Sequence, residues 1–372
     1  MSSVAEHHPL MGSEPVATFE AESPADRIRT PRPLRIVQMI FSRGFAGSER
    51  VALELANRLS EHHKVLLLVA SDCDRVPGKS ILSAVRPEVE VRRVSRFMRP
   101  LRVRQIVEDF NADIVHAHLG RAIKCLSYLH PKRKRCATLH LSRPVDTTAL
   151  DGIILVSDWQ RHLFADCDDD QTRFEVVPNF IDELERPVPS RRLSERRGLG
   201  LRQDAFVVGF FGRLEHDKGI FDLLRAFEQW DRPDKQLLIV GDGGVQDEIR
   251  ERTSGNVIMT GFRQDARELY ALVDCVVVPS RKEAFGLVAL EAMAAGCRVV
   301  AANARGLAHF VASQPDIIPV IPGDPSSITS GLETAYRLRN EAPLYDLSDY
   351  EPSKVIPELE DFYLNVVNAD LS

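Results

Sequence analysis

One pattern constrains this chain more than any other: short β-branched runs alternate with segments of helical spacing, and the alternation occurs twice. The first set opens with Leu34-Arg35-Ile36-Val37-Gln38-Met39-Ile40, which reads as a strand. A loop containing Gly44 and Gly47 follows, then a segment with apolar residues at 51, 52, 55, 56 and 59, which is helical spacing. Further runs at Val65 to Val69 and Val89 to Val94, a helix over 101–110, and the strand Asp113-Ile114-Val115-His116-Ala117-His118 continue it. Residues 153–157 read as a late strand, Phe174 to Asn179 as the crossing point, and 183–204 as a linker rich in Arg, Pro and Ser. The second set runs Phe206 to Phe211, a helix over 219–230, Gln236 to Val240, then strands at 256–260, 274–279 and 298–302, with a long helix from about 286. Such alternation implies parallel sheets covered on both faces. At roughly 150 residues per domain, 372 residues make two domains. The predicted fold is α/β, with two doubly wound parallel-sheet (Rossmann-like) domains facing across a cleft.

Composition narrows the function classes. With 48 Lys+Arg against 54 Asp+Glu the chain is not a wholly basic nucleic-acid binder, and no nucleic-acid partner is expected. No apolar run approaches the ~18–20 residues of a membrane span, and the polar, acidic N-terminus lacks the features of a leader. Residues 1–33 read as a disordered tail. The six cysteines, Cys73, Cys125, Cys136, Cys167, Cys275 and Cys297, never form C-x-x-C, so neither a zinc site nor a disulfide framework is indicated. The expectation is a soluble protein of a reducing compartment. Its charge is uneven. Residues 27–140 carry 23 Lys+Arg against 10 Asp+Glu, net +13, whereas residues 141–372 carry 25 against 39, net -14. Much of the excess lies in Arg92, Arg93, Arg96, Arg99, Arg102 and Arg104 and in Lys132-Arg133-Lys134-Arg135. A solvated face accounts for such a run; so does a surface for an acidic lipid or acidic acceptor.

Two clusters could carry chemistry. Glu283-Ala284-Phe285-Gly286-Leu287-Val288 follows the strand Cys275 to Pro279, at the carboxyl end where ligands of open α/β sheets bind. The free amides of Gly286, Leu287 and Val288 at a helix start would cradle an anion. Glu291, on an otherwise apolar helix face, suits a vicinal diol, because one carboxylate accepts two hydroxyl hydrogen bonds. A capping Glu and a salt-bridged Glu are the plainer alternatives. The second cluster, Gly212-Arg213-Leu214-Glu215-His216-Asp217-Lys218-Gly219, again follows a strand. An Arg fork and a Lys point charge together suit a diphosphate.

Together these motifs resemble the donor site of the retaining, GT-B-fold glycosyltransferases of family 4. Gly212-Arg213…Lys218-Gly219 and Glu283-x7-Glu291 carry the likeness. Ala46-Gly47-Ser48-Glu49-Arg50, Asp113 to His118, Val177-Pro178-Asn179, Ile239 to Gly243 and Pro279-Ser280 support it, over roughly residues 34–365. The resemblance implies an acceptor-side domain over 34–180, a nucleotide-sugar-binding domain over 181–352, and a closing helix over 353–368 that crosses back onto the first. It implies that Arg213 and Lys218 bind the donor diphosphate and Glu291 the ribose, with Phe262 and Arg263 near the base. Glu283 would touch the transferred sugar, with backbone help from Phe285 to Val288; Gly47 would let the first domain's loop approach the diphosphate. His118 would face the donor sugar from the acceptor side. Three positions depart from the family: Phe180 where Gly is common, Arg298 where Pro is usual, and His309 in place of a Glu.

Other candidates carry less. Asp72-Cys73-Asp74 could be a metal-binding pair, but it follows a first-domain strand, and the donor site is expected to need no metal or cofactor. Asp168-Asp169-Asp170 reads as a solvated loop. Gly241-x-Gly243 has Gln246 where a dinucleotide fingerprint needs Gly. His116 and His140 read as strand-end histidines. The expected activity is retaining transfer of a hexose from a nucleotide diphosphate sugar, UDP-linked, to a glycan or lipid-linked, anionic acceptor. Lipopolysaccharide or another cell-surface polysaccharide is the expected pathway, in the cytoplasm and peripherally at an anionic membrane face. The alternatives are a sugar-nucleotide epimerase, a phosphorylase, and a catalytically dead nucleotide-sugar-binding protein.

Overall fold

The computed structural model describes residues 32–75, 80–140, 143–165, 172–182, 184, 189–253 and 255–370. Seven parallel strands form the first sheet: β1 (Arg35–Ile40), β2 (Lys64–Ala70), β3 (Glu90–Val94), β4 (Ile114–His118), β5 (Lys134–Leu139), β6 (Gly152–Leu155) and β7 (Arg173–Val176). Six make the second: β8 (Phe206–Phe211), β9 (Lys235–Val240), β10 (Val257–Gly261), β11 (Cys275–Val278), β12 (Arg298–Ala302) and β13 (Ile318–Val320). Their spatial orders, β3-β2-β1-β4-β5-β6-β7 and β10-β9-β8-β11-β12-β13, are doubly wound, with the direction of winding reversing beside β1 and β8. The central strands β1, β2, β4, β8 and β11 are buried almost throughout, which is why their Val, Ile and Leu runs are continuous rather than alternating.

Several elements differ from the sequence expectations. The first half of the expected crossing segment, Phe174 to Val176, forms the edge strand β7, paired to β6. The expected linker over 183–204 contains the helix Pro189–Gly198. The long helix expected from about 286 is Leu287–Ala294. Lys132 to Arg135 is not a free cationic run. Lys134 and Arg135 begin β5, with Lys134 buried, Arg133 on Glu108 at 2.7 Å and Arg135 on Asp151 at 3.0 Å. The expected tail lies, up to residue 31, outside the described residues, as does Asp168-Asp169-Asp170.

Residues 33–372 form one compact unit, with a core beneath each sheet. The helix Pro352–Val367 contributes Leu359, Phe362, Tyr363 and Val366 to the core of the first sheet. At ~1.5–3 kcal/mol for each large apolar side chain fully buried, that helix is fixed in place by packing.

Candidate active site in the cleft

Because every strand is parallel, the loops after β1, β4, β5, β8, β9 and β11 leave their sheets at carboxyl ends. These loops enclose a cavity of about 570 Å³. Gly44 to Arg50, Leu119 and His140 line it from the first sheet's side; Gly212, Arg213, Lys218, Phe262, Arg263, Tyr270, Ser280, Glu283 to Val288 and Glu291 line it from the second's.

Arg213 and Lys218 both reach this cavity but in different states. Lys218 Nζ lies 2.7 Å from Glu283 Oε1, and both side chains are largely shielded, at 19% and 14% exposure. Ser280 Oγ donates to the same oxygen at 2.9 Å. Glu283 Oε1 is therefore committed, and Oε2 is left to take a hydroxyl. Arg213 is 58% exposed and pairs with Glu215 at 3.0 Å. Solvent competes for that pair, so the guanidinium is readily handed to an anionic ligand.

The helix Leu287–Ala294 begins at the cavity. Its cap, Gly286, has φ 101°, a backbone conformation that disfavours any side chain, and a Cβ there would also crowd Leu307 Cδ2 at 2.4 Å. Gly47 faces the same helix from the opposite sheet. A Cβ on it would sit 2.9 Å from Leu287 Cδ1, so a side chain here would have to push the tip of that leucine aside. Trp159 Nε1 donates across the cleft to Ala284 O at 2.9 Å, steadying the Glu283 loop from the other half. Phe285 is buried, and the His309 ring is tilted against it at 5.2 Å between centroids. Neither ring nitrogen of His309 has a hydrogen-bond partner, and burial lowers its pKa to about 4.

Glu291 is salt-bridged, the plainer of the alternatives its sequence leaves open. Its Oε1 accepts from Arg50 Nη1 at 2.6 Å and Arg267 Nε at 3.1 Å, and its Oε2 from Tyr270 OH at 2.9 Å. Tyr270 is itself buried, stacked on Phe211 at 4.0 Å between ring centroids. None of Arg50, Arg267 or Tyr270 belongs to the sequence-predicted set. Arg50 carried a signal, in Ser48-Glu49-Arg50, whereas Arg267 and Tyr270 lie in a short helical segment with no motif.

The histidines require a correction. His118, expected to face the donor sugar, is wholly buried, and the residue at the cavity wall is His140. The two are joined: His118 Nδ1 and His140 Nε2 are 3.0 Å apart, and His118 Nε2 lies 2.6 Å from Gln38 Oε1. Gln38 accepts there, so His118 carries its proton on Nε2, and its Nδ1 then accepts from His140. His140 is left with an unprotonated Nδ1. Gln38 Nε2 also donates to Tyr363 OH at 3.0 Å, and His116 Nδ1 lies 2.6 Å from the same hydroxyl. The network thus runs from the C-terminal helix to the cavity wall. Burial lowers the pKa of His116 to about 3 and of His140 to about 4, and holds His118 well below its usual value. All three are neutral at pH 7. His140 stands at the carboxyl end of β5, the strand-end position the sequence indicates for it, and that position puts it on the cavity wall.

Phe262 and Arg263 line the cavity, Arg263 bidentate on Asp265 at 2.7 and 2.5 Å. The basic surface divides. Arg99 is drawn in over the Phe41 ring at 4.5 Å, so it is not part of an open cationic face. Arg96 and Arg102 are exposed, and the large apolar side chains beside them are exposed too: Phe97 at 73%, Met98 at 51% and Leu101 at 52%. In the Asp72-Cys73-Asp74 segment, Asp72 is paired with Arg43 and Asp74 with Arg93.

Residues 45–183 match the family model Glycosyltransferase Family 4, and residues 205–337 match Glycosyl transferases group 1. An uncharacterised glycosyltransferase of Methanocaldococcus jannaschii is 35% identical over 174 residues, 44% of this chain and 45% of that protein. The lipopolysaccharide 1,2-N-acetylglucosaminetransferase of Salmonella typhimurium is 36% identical over 154 residues, 37% of this chain and 40% of that protein. In each case the match spans less than half of the relative's length. Among solved structures, Anabaena HepE in complex with UDP and glucose superposes with a TM-score of 0.74 at 21% identity, covering 88% of this chain and 99% of that one. That likeness establishes the GT-B architecture.

Proposed function

Because the chain belongs to glycosyltransferase family 4, we propose that it transfers a hexose with retention from a UDP-linked donor to a glycan or lipid-linked acceptor. One observation carries the reading. Lys218, Ser280 and Glu283 form a shielded cluster in a cavity that also holds Arg213, the Leu287 helix start and, deeper, Glu291. A nucleotide sugar has its charges and hydroxyls in that sequence: diphosphate against the cations and helix amides, sugar hydroxyls against Glu283 Oε2, ribose against Glu291. The UDP and glucose held by HepE support a UDP-linked hexose.

In this reading the residues act by placement and by charge. Lys218 and Arg213 stabilise the diphosphate as negative charge develops on leaving. Glu283 fixes the sugar so that the acceptor approaches the correct face, and the closed loops around Gly47 exclude water. His140, with Nδ1 free to accept, is the first half's contact to a donor-sugar hydroxyl, and His118 sets its tautomer. The test is on Glu291. Glu291→Gln weakens UDP binding about tenfold by calorimetry, since a hydrogen bond to a charged group contributes ~1.5–3 kcal/mol. A 2′,3′-dideoxy analogue should lose much less, and equal losses for both ligands would make Glu291 structural.

The acceptor side supports a second element of the proposal: docking on an anionic membrane, with a phosphorylated or lipid-linked acceptor. The Salmonella relative is a lipopolysaccharide 1,2-N-acetylglucosaminetransferase by name, which supports a lipopolysaccharide-type acceptor. Phe97, Met98 and Leu101 follow the carboxyl end of β3, the same edge as the cavity, with exposed Arg96 and Arg102 among them. Apolar side chains that insert and cations that meet headgroups are the two signals of interfacial binding. Phe97→Ser with Leu101→Ser should abolish sedimentation with phosphatidylglycerol vesicles, and Arg96→Glu with Arg102→Glu should do so in a salt-dependent way. UDP affinity should be unchanged in both. Vesicle binding that survives both pairs would leave this edge a solvated face.

A further inference from the structure

We propose that Arg50 and Glu54 are positioning residues for the nucleotide, acting through Glu291 and Arg267 from the opposite side of the cleft. The inference rests on the reading of Glu291 as the ribose carboxylate. Arg50 and Glu54 lie one turn apart on the helix Gly47–Leu59, so both point from the same face of that helix. Arg50 Nη1 bonds Glu291 Oε1 at 2.6 Å, Arg267 Nε bonds the same oxygen at 3.1 Å, and Arg267 Nη1 meets Glu54 Oε1 at 2.9 Å. Charges therefore alternate along a chain of four: Arg50, Glu291, Arg267, Glu54. Side-chain exposure is 19% for Arg50, 20% for Glu54, 23% for Arg267 and 11% for Glu291.

Each half supplies one acid and one base, and neither pair is complete alone. If the halves separate, Arg267 keeps only Glu291 and Glu291 loses Arg50. Shielded charges that lose a partner are costly, so the four are satisfied together in the shut cleft. Closure then does more than exclude water. It fixes the carboxylate that grips the ribose, with Arg50 and Arg267 on Oε1 and the buried Tyr270 on Oε2. The edge of Oε2 not taken by Tyr270 is held toward the nucleotide. Glu54 takes no part in ligand contact: it is absent from the cavity lining and acts only by orienting Arg267.

The experiment compares Arg50→Ala, Arg50→Lys and Glu54→Gln with Glu291→Gln, alone and combined, using UDP as the calorimetric probe and thermal unfolding as the control for folding. Arg50→Ala should raise the UDP Kd about tenfold with the unfolding midpoint held within a few degrees. Arg50→Lys should recover most of that loss, and Glu54→Gln should raise the Kd by about threefold to fivefold. In the Glu291→Gln background, Arg50→Ala should add nothing further, because its effect passes through that carboxylate. UDP affinity that is unchanged or tighter in Arg50→Ala while Glu291→Gln weakens it would overturn the inference and leave the site assignment standing. Full additivity of the two variants would overturn it as well. A silent Glu291→Gln would instead remove the ribose assignment on which the inference rests.

Discussion

Replacing Lys218 by Ala lowers kcat by about a hundredfold to a thousandfold, the loss expected when one preorganised donor to a developing oxyanion is removed. The ammonium is held 2.7 Å from Glu283 Oε1 in a shielded pocket, so in the proposed reaction it would be in place before a diphosphate begins to leave. Removing it also deprives Glu283 of its cation, leaving only Ser280 on that oxygen. Arg213→Ala should cost less, because that guanidinium is 58% exposed and must reorient from Glu215. Steady-state kinetics with a UDP-hexose decide the matter. A variant lacking both cations that turns over near-normally would remove the diphosphate from this end of the cavity.

Acid should destabilise the protein well before its carboxylates titrate. His116, His140 and His309 have pKa values lowered to about 3, 4 and 4, and His118 is lowered too, all chiefly by burial. In the unfolded chain each would titrate near ~6.5. Between that value and the depressed native value the unfolded state binds more protons, so stability falls as pH falls. Each such histidine costs up to ~1.4 kcal/mol per pH unit in that window. Stability should hold above about pH 7 and drop steeply from pH 6 to pH 5, read as the urea midpoint at fixed ionic strength. His116→Gln or His140→Asn should make the drop shallower. A midpoint flat from pH 7 to pH 5 would contradict burial of these rings as neutral groups.

The doubly wound grammar was legible because central strands buried on both faces leave uninterrupted β-branched runs, as in Val65 to Val69 or Phe206 to Phe211. Elements at the margins were not. β5 begins with Lys134 and Arg135, whose charges broke the apolar pattern although Arg135 is neutralised by Asp151. β13 is three residues long with Pro319 at its centre, tolerable only because it lies at an edge. The same distinction holds in the cleft. Glu283, Glu291, Arg213 and Lys218 sit in loops whose glycines and spacing mark them. The partners of Glu291 do not, since Arg50 meets it from 241 residues away. The family resemblance points to His118 through the contiguous motif Asp113 to His118, yet depth in the strand decides which ring reaches the cavity.

The central claim is that this cleft breaks the bond between a nucleoside diphosphate and its sugar. Incubating the protein with a panel of UDP-hexoses and following UDP and free or transferred sugar by mass spectrometry tests it most directly. Release of UDP with one donor, lost in Lys218→Ala, is the predicted result. A nucleotide sugar that returns intact but epimerised, or a donor that binds tightly and is never cleaved under any acceptor supplied, would contradict it.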